Sequence, residues 1–313
     1  MTQEKSLSFD QKGAEMRRVT RTSVVVALVL VAIKSFAWVY TGSVALLGSL
    51  LDSFLDAFAS GVTLLAITHA ITPADREHRF GHGKAEAIAG LLQAAIISVS
   101  ALYLFVQSIQ RFITPVTPTN SSAGIIVVVI SIALTAWLVR YQRRVVERTG
   151  SLAVSSDSLH YVGDVMMNAG ILVSLMLVEF GVGAYADAVM GVIIAGILGK
   201  SVWSIASNAF DMLMDREMAD EERARIKEVV LAHPEVQGLH DLRTRTSGLI
   251  SFIQFHVELD PTLSLMRAHQ ISDAVQGNLS RAFPDADIII HTDPGYDGPG
   301  PEAKDKKTAE DMI

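Results

Sequence analysis

The chain has 313 residues, 50% of them hydrophobic, a mean hydropathy of +0.36 and no cysteine; water is therefore not its only solvent, and disulfides, thiolate zinc sites and cysteine nucleophiles are excluded. Nine prolines, 22 glycines and 19% charged residues exclude a collagen-like or disordered chain. The net charge of -7 is uneven, with 15 Lys and Arg against 14 Asp and Glu in residues 1–212 but 11 against 19 in 213–313, so no basic domain is present to neutralise phosphates and nucleic acid is not an expected partner.

Residues 1–22 are polar and read as an N-terminal arm; they carry no short apolar core ending in a small-residue cleavage site, so no cleaved signal peptide is expected. From there a membrane domain is predicted over 23–212. Six segments reach the ~20 mostly apolar residues that a bilayer core requires, at 23–40, 43–71, 86–113, 123–140, 159–180 and 186–212. Basic residues set the orientation, since positive charge stays on the cytoplasmic side. The arm (Lys5, Lys12, Arg17, Arg18, Arg21), the second connection (Arg76, Arg79, Lys84) and the fourth (Arg140, Arg143, Arg144, Arg148) are basic. The first (Thr41-Gly42), third (Pro115 to Ser122) and fifth (Gly181 to Tyr185) carry no Lys or Arg; Arg111 runs against the pattern. A multi-pass protein with both termini in the cytoplasm follows.

A soluble domain is predicted over 213–294. Residues 220–233 read as a charged helix with Ile226, Val229 and Val230 on one face, 239–246 and 251–260 as strands about Ser247-Gly248, 264–283 as a second helix and 286–291 as an Ile-rich strand. The order α-β-β-α-β suggests helices packed on one small sheet. The Gly-, Pro- and Lys-rich tail at 295–313 is expected to be disordered.

Ionisable residues at bilayer depth are costly and usually functional. Here they concentrate on two segments, as Asp52 and Asp56 on the second and His160 and Asp164 on the fifth. Each pair is spaced i, i+4 and projects from one helix face. Two such faces opposed would supply three carboxylates and one imidazole, a four-coordinate oxygen and nitrogen site for a zinc-like divalent ion. The plainer alternative, acids neutralised by shared protons or by Lys34, leaves four mutually repelling or desolvated groups to be reconciled. One acidic motif in each middle helix is also a faint trace of an inverted repeat.

The residues at this point resemble the cation diffusion facilitator family, specifically its bacterial zinc and ferrous-iron efflux branch. Asp52-x-x-x-Asp56 with His160-x-x-x-Asp164 is similar to that family's transport site, the run from Pro73 to Glu86 to its second cytoplasmic loop, and Gly238 to Arg245 to its cytoplasmic domain. The resemblance spans about residues 20 to 295. It implies a homodimer in the bacterial inner membrane, six transmembrane helices per protomer, a metallochaperone-like cytoplasmic fold, and exchange of a divalent cation for protons.

Two further sites are expected. In the second connection Asp75, His78 and His82 are spaced so that a turn or short helix could converge them on one ion, and the resemblance implies a second metal site there. In the soluble domain the resemblance implies a binuclear site at the dimer interface, formed by His240, His256, His291 and Asp293, with His269 near the neighbouring protomer. His69 and His233 match no motif and read as structural.

Ligands must be deprotonated to bind metal, so protons and metal compete at the quartet, and His160 is of the side-chain type that changes charge near neutral pH. Alternating exposure of such a site gives proton-driven export of zinc, with cadmium and iron(II) also accommodated and magnesium, which prefers six oxygens, rejected. Metal bound across two soluble domains would bias the helices, and Lys84 and Asp215, at the membrane's inner edge, are candidates for a coupling ion pair. A competing reading is a non-transporting metal sensor or scaffold. An intramembrane metalloenzyme is disfavoured, since no H-E-x-x-H zinc protease motif is present.

Overall fold

The computed structural model describes residues 7–41, 44–114, 122–178 and 183–295. Six long helices come first: α1 (Phe9–Thr41), α2 (Val44–Ala70), α3 (Ala85–Ile113), α4 (Ser122–Thr149), α5 (Leu152–Val178) and α6 (Gly183–Leu213). They are followed by α7 (Asp220–Leu231), β1 (Gly238–Ser247), β2 (Ile250–Leu259), α8 (Leu265–Ala282) and β3 (Ala286–Pro294). Two compact units result, Met1–Met214 with Ser247–Leu249, and Asp215–Thr246 with Ile250–Ile313.

In the first unit α1, α2, α3, α4 and α6 each contain a stretch long and apolar enough to cross a membrane. Helix α5 has 27 residues, about 40 Å of helix, and its apolar run is interrupted by Asp157, His160 and Asp164. Helix α3 packs along α6 through Ala94, Ile97 and Ala101 against Ile194, Leu198 and Ile205. Val26 and Leu30 of α1, Leu138 and Val139 of α4 and Tyr161 of α5 form another cluster. Gly163 marks the close approach of α5 to α6, where a Cβ would lie 2.8 Å from Leu198 Cδ2. Large apolar side chains such as Phe36, Leu65 and Trp203 point outward and are exposed. That is costly in water and natural against lipid.

Several helices exceed their apolar segments. Helix α1 starts at Phe9 rather than near 23, α4 runs to Thr149 rather than 140, and α5 starts at Leu152 rather than 159. Hydropathy marks only the part that matches the hydrocarbon, whereas backbone hydrogen bonding continues beyond it with Arg143, Arg144 and Arg148 on the turns added to α4. Helix α4 closes at Gly150, whose φ is 69° and whose N–H donates to Val146 O at 2.8 Å, a left-handed cap that suits glycine. Residues 1–6 of the arm, Gly42 of the first connection, 115–121 of the third, 181–182 of the fifth and the tail from 296 lie outside the described residues.

The second unit has the order α-β-β-α-β. Its sheet order is β1-β2-β3, with β2 and β3 parallel from Ser251 opposite Ala286 to Leu259 opposite Pro294. The two-residue turn Gly248-Leu249 joins β1 to β2, with Gly248 at φ 61°. Alternate residues of β2, Ile253, Phe255, Val257 and Leu259, are buried with Ile226 and Val230 of α7 and Ile271, Val275 and Leu279 of α8. The strand period of two therefore turns Gln254, His256 and Glu258 to the opposite face. Helix α8 is capped by Ser264, whose side chain accepts from Arg267 N at 3.3 Å. Strand β3 outlasts its predicted end at His291 because pairing with β2 continues through Glu258 opposite Asp293.

Candidate metal centres

Helix α2 contributes Asp56 and α5 contributes His160 and Asp164 to a trio whose ligand atoms lie within 4.8 Å of one another. His160 Nε2 is 2.9 Å from Asp56 Oδ1 and 3.9 Å from Asp164 Oδ2. His160 is buried, and Asp164 Oδ2 is buried without a hydrogen-bond partner. An acceptor left in that condition is expensive unless something positive meets it. Asp52, one turn earlier on α2, is exposed and stands outside the trio. Lys34 is buried and donates to Ser49 O at 3.0 Å and Ser53 Oγ at 2.7 Å, tying α1 to α2.

Beside the trio lies a buried polar group that the sequence reading missed. Asp157 is fully buried; its Oδ1 accepts from Ser60 Oγ and Gln93 Nε2, each at 3.2 Å, and its Oδ2 accepts from Gln142 Nε2 at 2.7 Å. Gln142 Nε2 also donates to Ser23 Oγ at 3.0 Å, Gln93 Nε2 to Thr63 Oγ1 at 3.1 Å, and Ser60 Oγ lies 2.8 Å from Tyr161 Oη. One carboxylate on α5 is thus linked to all of α1 to α4. Asp157 precedes His160 by three residues and shares its helix face, but it lies just outside the apolar stretch expected from 159. At the start of α3, the buried Glu86 accepts from Ser151 Oγ and from Ala153 N, capping the N-terminus of α5.

The second centre lies between α2 and α3, where Asp75, His78 and His82 present ligand atoms within 4.8 Å of one another. Asp75 Oδ1 accepts from the backbone N–H groups of His78 at 2.6 Å and Glu77 at 2.9 Å. These bonds, the His78 one foremost, hold the Asp75 carboxyl below its ordinary range. Asp75 Oδ2 faces His82 Nε2 at 3.3 Å. His82 is buried, with Nδ1 3.3 Å from Thr72 O. A proton on Nδ1 directed at that carbonyl leaves the Nε2 lone pair facing Asp75, the tautomer a ligand requires.

The third centre occupies the outer face of the sheet. His240 comes from β1, His256 from β2 and Asp293 from β3, again within 4.8 Å. Asp293 divides its oxygens: Oδ2 lies 2.8 Å from His256 Nδ1 and 3.2 Å from His240 Nε2, while Oδ1 lies 3.1 Å from His291 Nε2. A carboxylate with imidazoles at both oxygens has the layout of a bridge between two ions. Burial pushes the Asp293 carboxyl up, and the His256 hydrogen bond with the charges of His256, His291 and His240 outweighs it, leaving the group below its ordinary value. Two acids not foreseen also border the cluster: Glu258 Oε1 is 3.0 Å from His240 Nδ1 and Asp241 Oδ2 is 3.7 Å from His256 Nε2. Glu258 was discoverable, being two residues past His256 on the same strand face. His269 stands apart on α8, exposed and 3.6 Å from Asp273.

His233 Nδ1 accepts from Glu235 N at 3.3 Å, a turn contact. Lys84 and Asp215 belong to different compact units; Lys84 Nζ donates to Leu213 O and Arg245 Nη1 to Asp215 Oδ1, each at 3.3 Å.

A helical membrane unit with an acid and imidazole trio, joined to an α+β unit with a second such cluster, defines a metal-cation transporter rather than an enzyme. The family models agree: residues 20–214 match the cation efflux transmembrane domain, and 218–295 match the cation efflux protein cytoplasmic domain. The chain belongs to the cation efflux family, the cation diffusion facilitators, and is a multi-pass membrane protein. It is 44% identical over 294 residues to the cation-efflux pump FieF of Shewanella oneidensis, covering 94% of this chain and 97% of that one. FieF of Citrobacter koseri is 45% identical over 282 residues, covering 90% and 94%. Among solved structures, the zinc form of CzrB is 29% identical, covering 27% of this chain and 97% of its own, with a TM-score of 0.26.

Proposed function

We propose that this chain exports a divalent transition-metal ion, foremost zinc and also cadmium or iron(II), from the cytoplasm in exchange for protons. It works as a homodimer in the bacterial inner membrane with both termini cytoplasmic. The observation that carries the reading is the trio Asp56, His160 and Asp164 with an unpartnered buried oxygen on Asp164. Such a site is occupied by a cation or by protons, and one population displaces the other. Asp52 completes the four ligands when its turn of α2 rotates inward, and its withdrawal lowers the coordination number for release. Four mixed ligands suit zinc and disfavour magnesium. The similarity to cation-efflux pumps supports the direction of transport.

The loop site and the sheet-face cluster serve regulation or dimer stability. Their ligands, exposed or half-exposed except for the buried His82, lie outside the membrane helices and sense cytoplasmic metal without being on the transport path. Zinc flux into proteoliposomes under an imposed pH gradient tests the proposal. Gradient-dependent flux that Asp56→Ala abolishes is the expected result. Zinc binding without flux in the intact protein would favour the sensor or scaffold reading.

A further inference from the structure

We infer that His69 is a fourth ligand of the loop site, so that the end of α2 and the α2–α3 loop hold one zinc-class ion through His69, Asp75, His78 and His82. The inference rests on the reading of Asp75, His78 and His82 as a metal site. Sequence spacing gives His69 no partner, since it lies on the last turn of α2 in an otherwise apolar stretch. The fold supplies one. The His69 ring lies 4.5 Å from the His82 ring, centroid to centroid, with the planes at 63°, and the His78 ring lies 4.6 Å from His82 at 50°. Three imidazoles therefore gather with His82 in contact with both others.

The local backbone explains why. After His69 the chain folds back, with Thr72 N donating to His69 O at 3.0 Å. The same Thr72 offers its carbonyl to His82 Nδ1 at 3.3 Å. One turn thus carries the proposed ligand and also the group that aims the central imidazole. His82 is buried and fixed, whereas His69 and His78 are exposed and can change rotamer. The ligand atoms of Asp75, His78 and His82 already converge; His69 joins them by rotation of its side chain.

The chemistry favours this completion. Three protein ligands leave one position of a tetrahedral zinc ion to water, whereas a fourth imidazole closes the shell, the arrangement of sites that hold their metal. The C-terminal end of α2 also presents the negative end of the helix dipole, which favours a cation there. A closed ion would pin the loop to α2, the helix that carries Asp52 and Asp56.

The test is zinc titration of the full-length protein with the other two centres disabled by Asp56→Ala and Asp293→Ala, followed by cobalt(II) absorption to read coordination number. In that background His69→Gln weakens binding on the order of tenfold to a hundredfold, at least the scale on which outer-shell partners matter. It also converts the strong tetrahedral cobalt spectrum to a weak six-coordinate one, and His69→Glu, which returns a ligand, restores the strong spectrum. His82→Ala abolishes binding altogether. If His82→Ala changes nothing, the reading of the loop as a metal site falls. If His82→Ala abolishes binding while His69→Gln alters neither affinity nor spectrum, the loop site stands and His69 is only a ring packed against it.

Discussion

The transmembrane trio and the sheet-face cluster use the same side-chain types under opposite conditions. In the membrane unit His160 is buried and Asp56 and Asp164 are half-buried, Asp164 Oδ2 has no hydrogen-bond partner among the described residues, and the fourth candidate ligand, Asp52, is exposed. On the sheet face each Asp293 oxygen is already met by imidazole, with Glu258 and Asp241 close by. The first leaves a carboxylate oxygen without a hydrogen bond, and we propose that it takes up and gives up an ion or protons; the second leaves an imidazole nitrogen, His240 Nδ1, without one but meets both oxygens of its carboxylate, and we propose that it holds metal.

The difference is sharpened first by removing a trio carboxylate. Asp164→Ala should reduce zinc flux by several orders of magnitude in vesicles while zinc still binds at the sheet face, measured by titration of the same protein. An intact rate would dissolve the distinction. His160→Asp should leave flux measurable and shift the preference from zinc toward cadmium; unchanged selectivity in competition assays would remove His160 as selector.

Asp293→Ala should have the reverse profile. Metal binding at the sheet face should collapse, because the bridging oxygens disappear, while flux at saturating zinc should stay within several-fold of the intact protein. Loss of flux equal to that of Asp164→Ala would make the cluster part of the transport path.

Asp157→Leu should cost about 1–3 kcal/mol for each amide or hydroxyl donor left unsatisfied, read as a lower melting temperature in detergent. Because Asp157 joins α5 to α1–α4, it should also lower the rate of flux more than the apparent affinity for zinc. Unchanged melting would show that the linkage contributes nothing.

The smallest effect concerns pH at the sheet face. Asp293 is held below the ordinary carboxylate range, so its contribution to the folded state is complete above about pH 3.9 and fades only as pH falls through its lower folded value. It therefore stays charged between about pH 8 and about pH 5, so its own protonation does not account for a loss of zinc across that window, whereas competition between protons and metal at the other ligands does. In an Asp56→Ala background, titrations along that window should show affinity falling steadily toward acid. A flat profile would argue that the histidines are not ligands.

How much of this was legible in the chain follows from geometry. The i, i+4 pairs on α2 and α5 were readable because a helix repeats its faces within one segment. Asp157 was missed because the apolar window opens after the helix does, and a hydropathy reading sees hydrocarbon thickness rather than hydrogen bonding. On the sheet, His240, His256 and Asp293 come from three strands, so their convergence depends on register that spacing cannot supply; the resemblance named them, Glu258 was readable from the strand period beside His256, and Asp241 emerged only with the fold. His69 meets His82 through a backbone turn beyond the reach of any regular period.

In the proposed cycle metal and protons occupy the same intramembrane ligands in turn. Proteoliposomes with equal pH on both sides, a trapped pH indicator and an imposed zinc gradient test it most directly. Zinc movement should drive protons in the opposite direction, and both signals should vanish together in Asp164→Ala. Zinc movement with no pH change would contradict it.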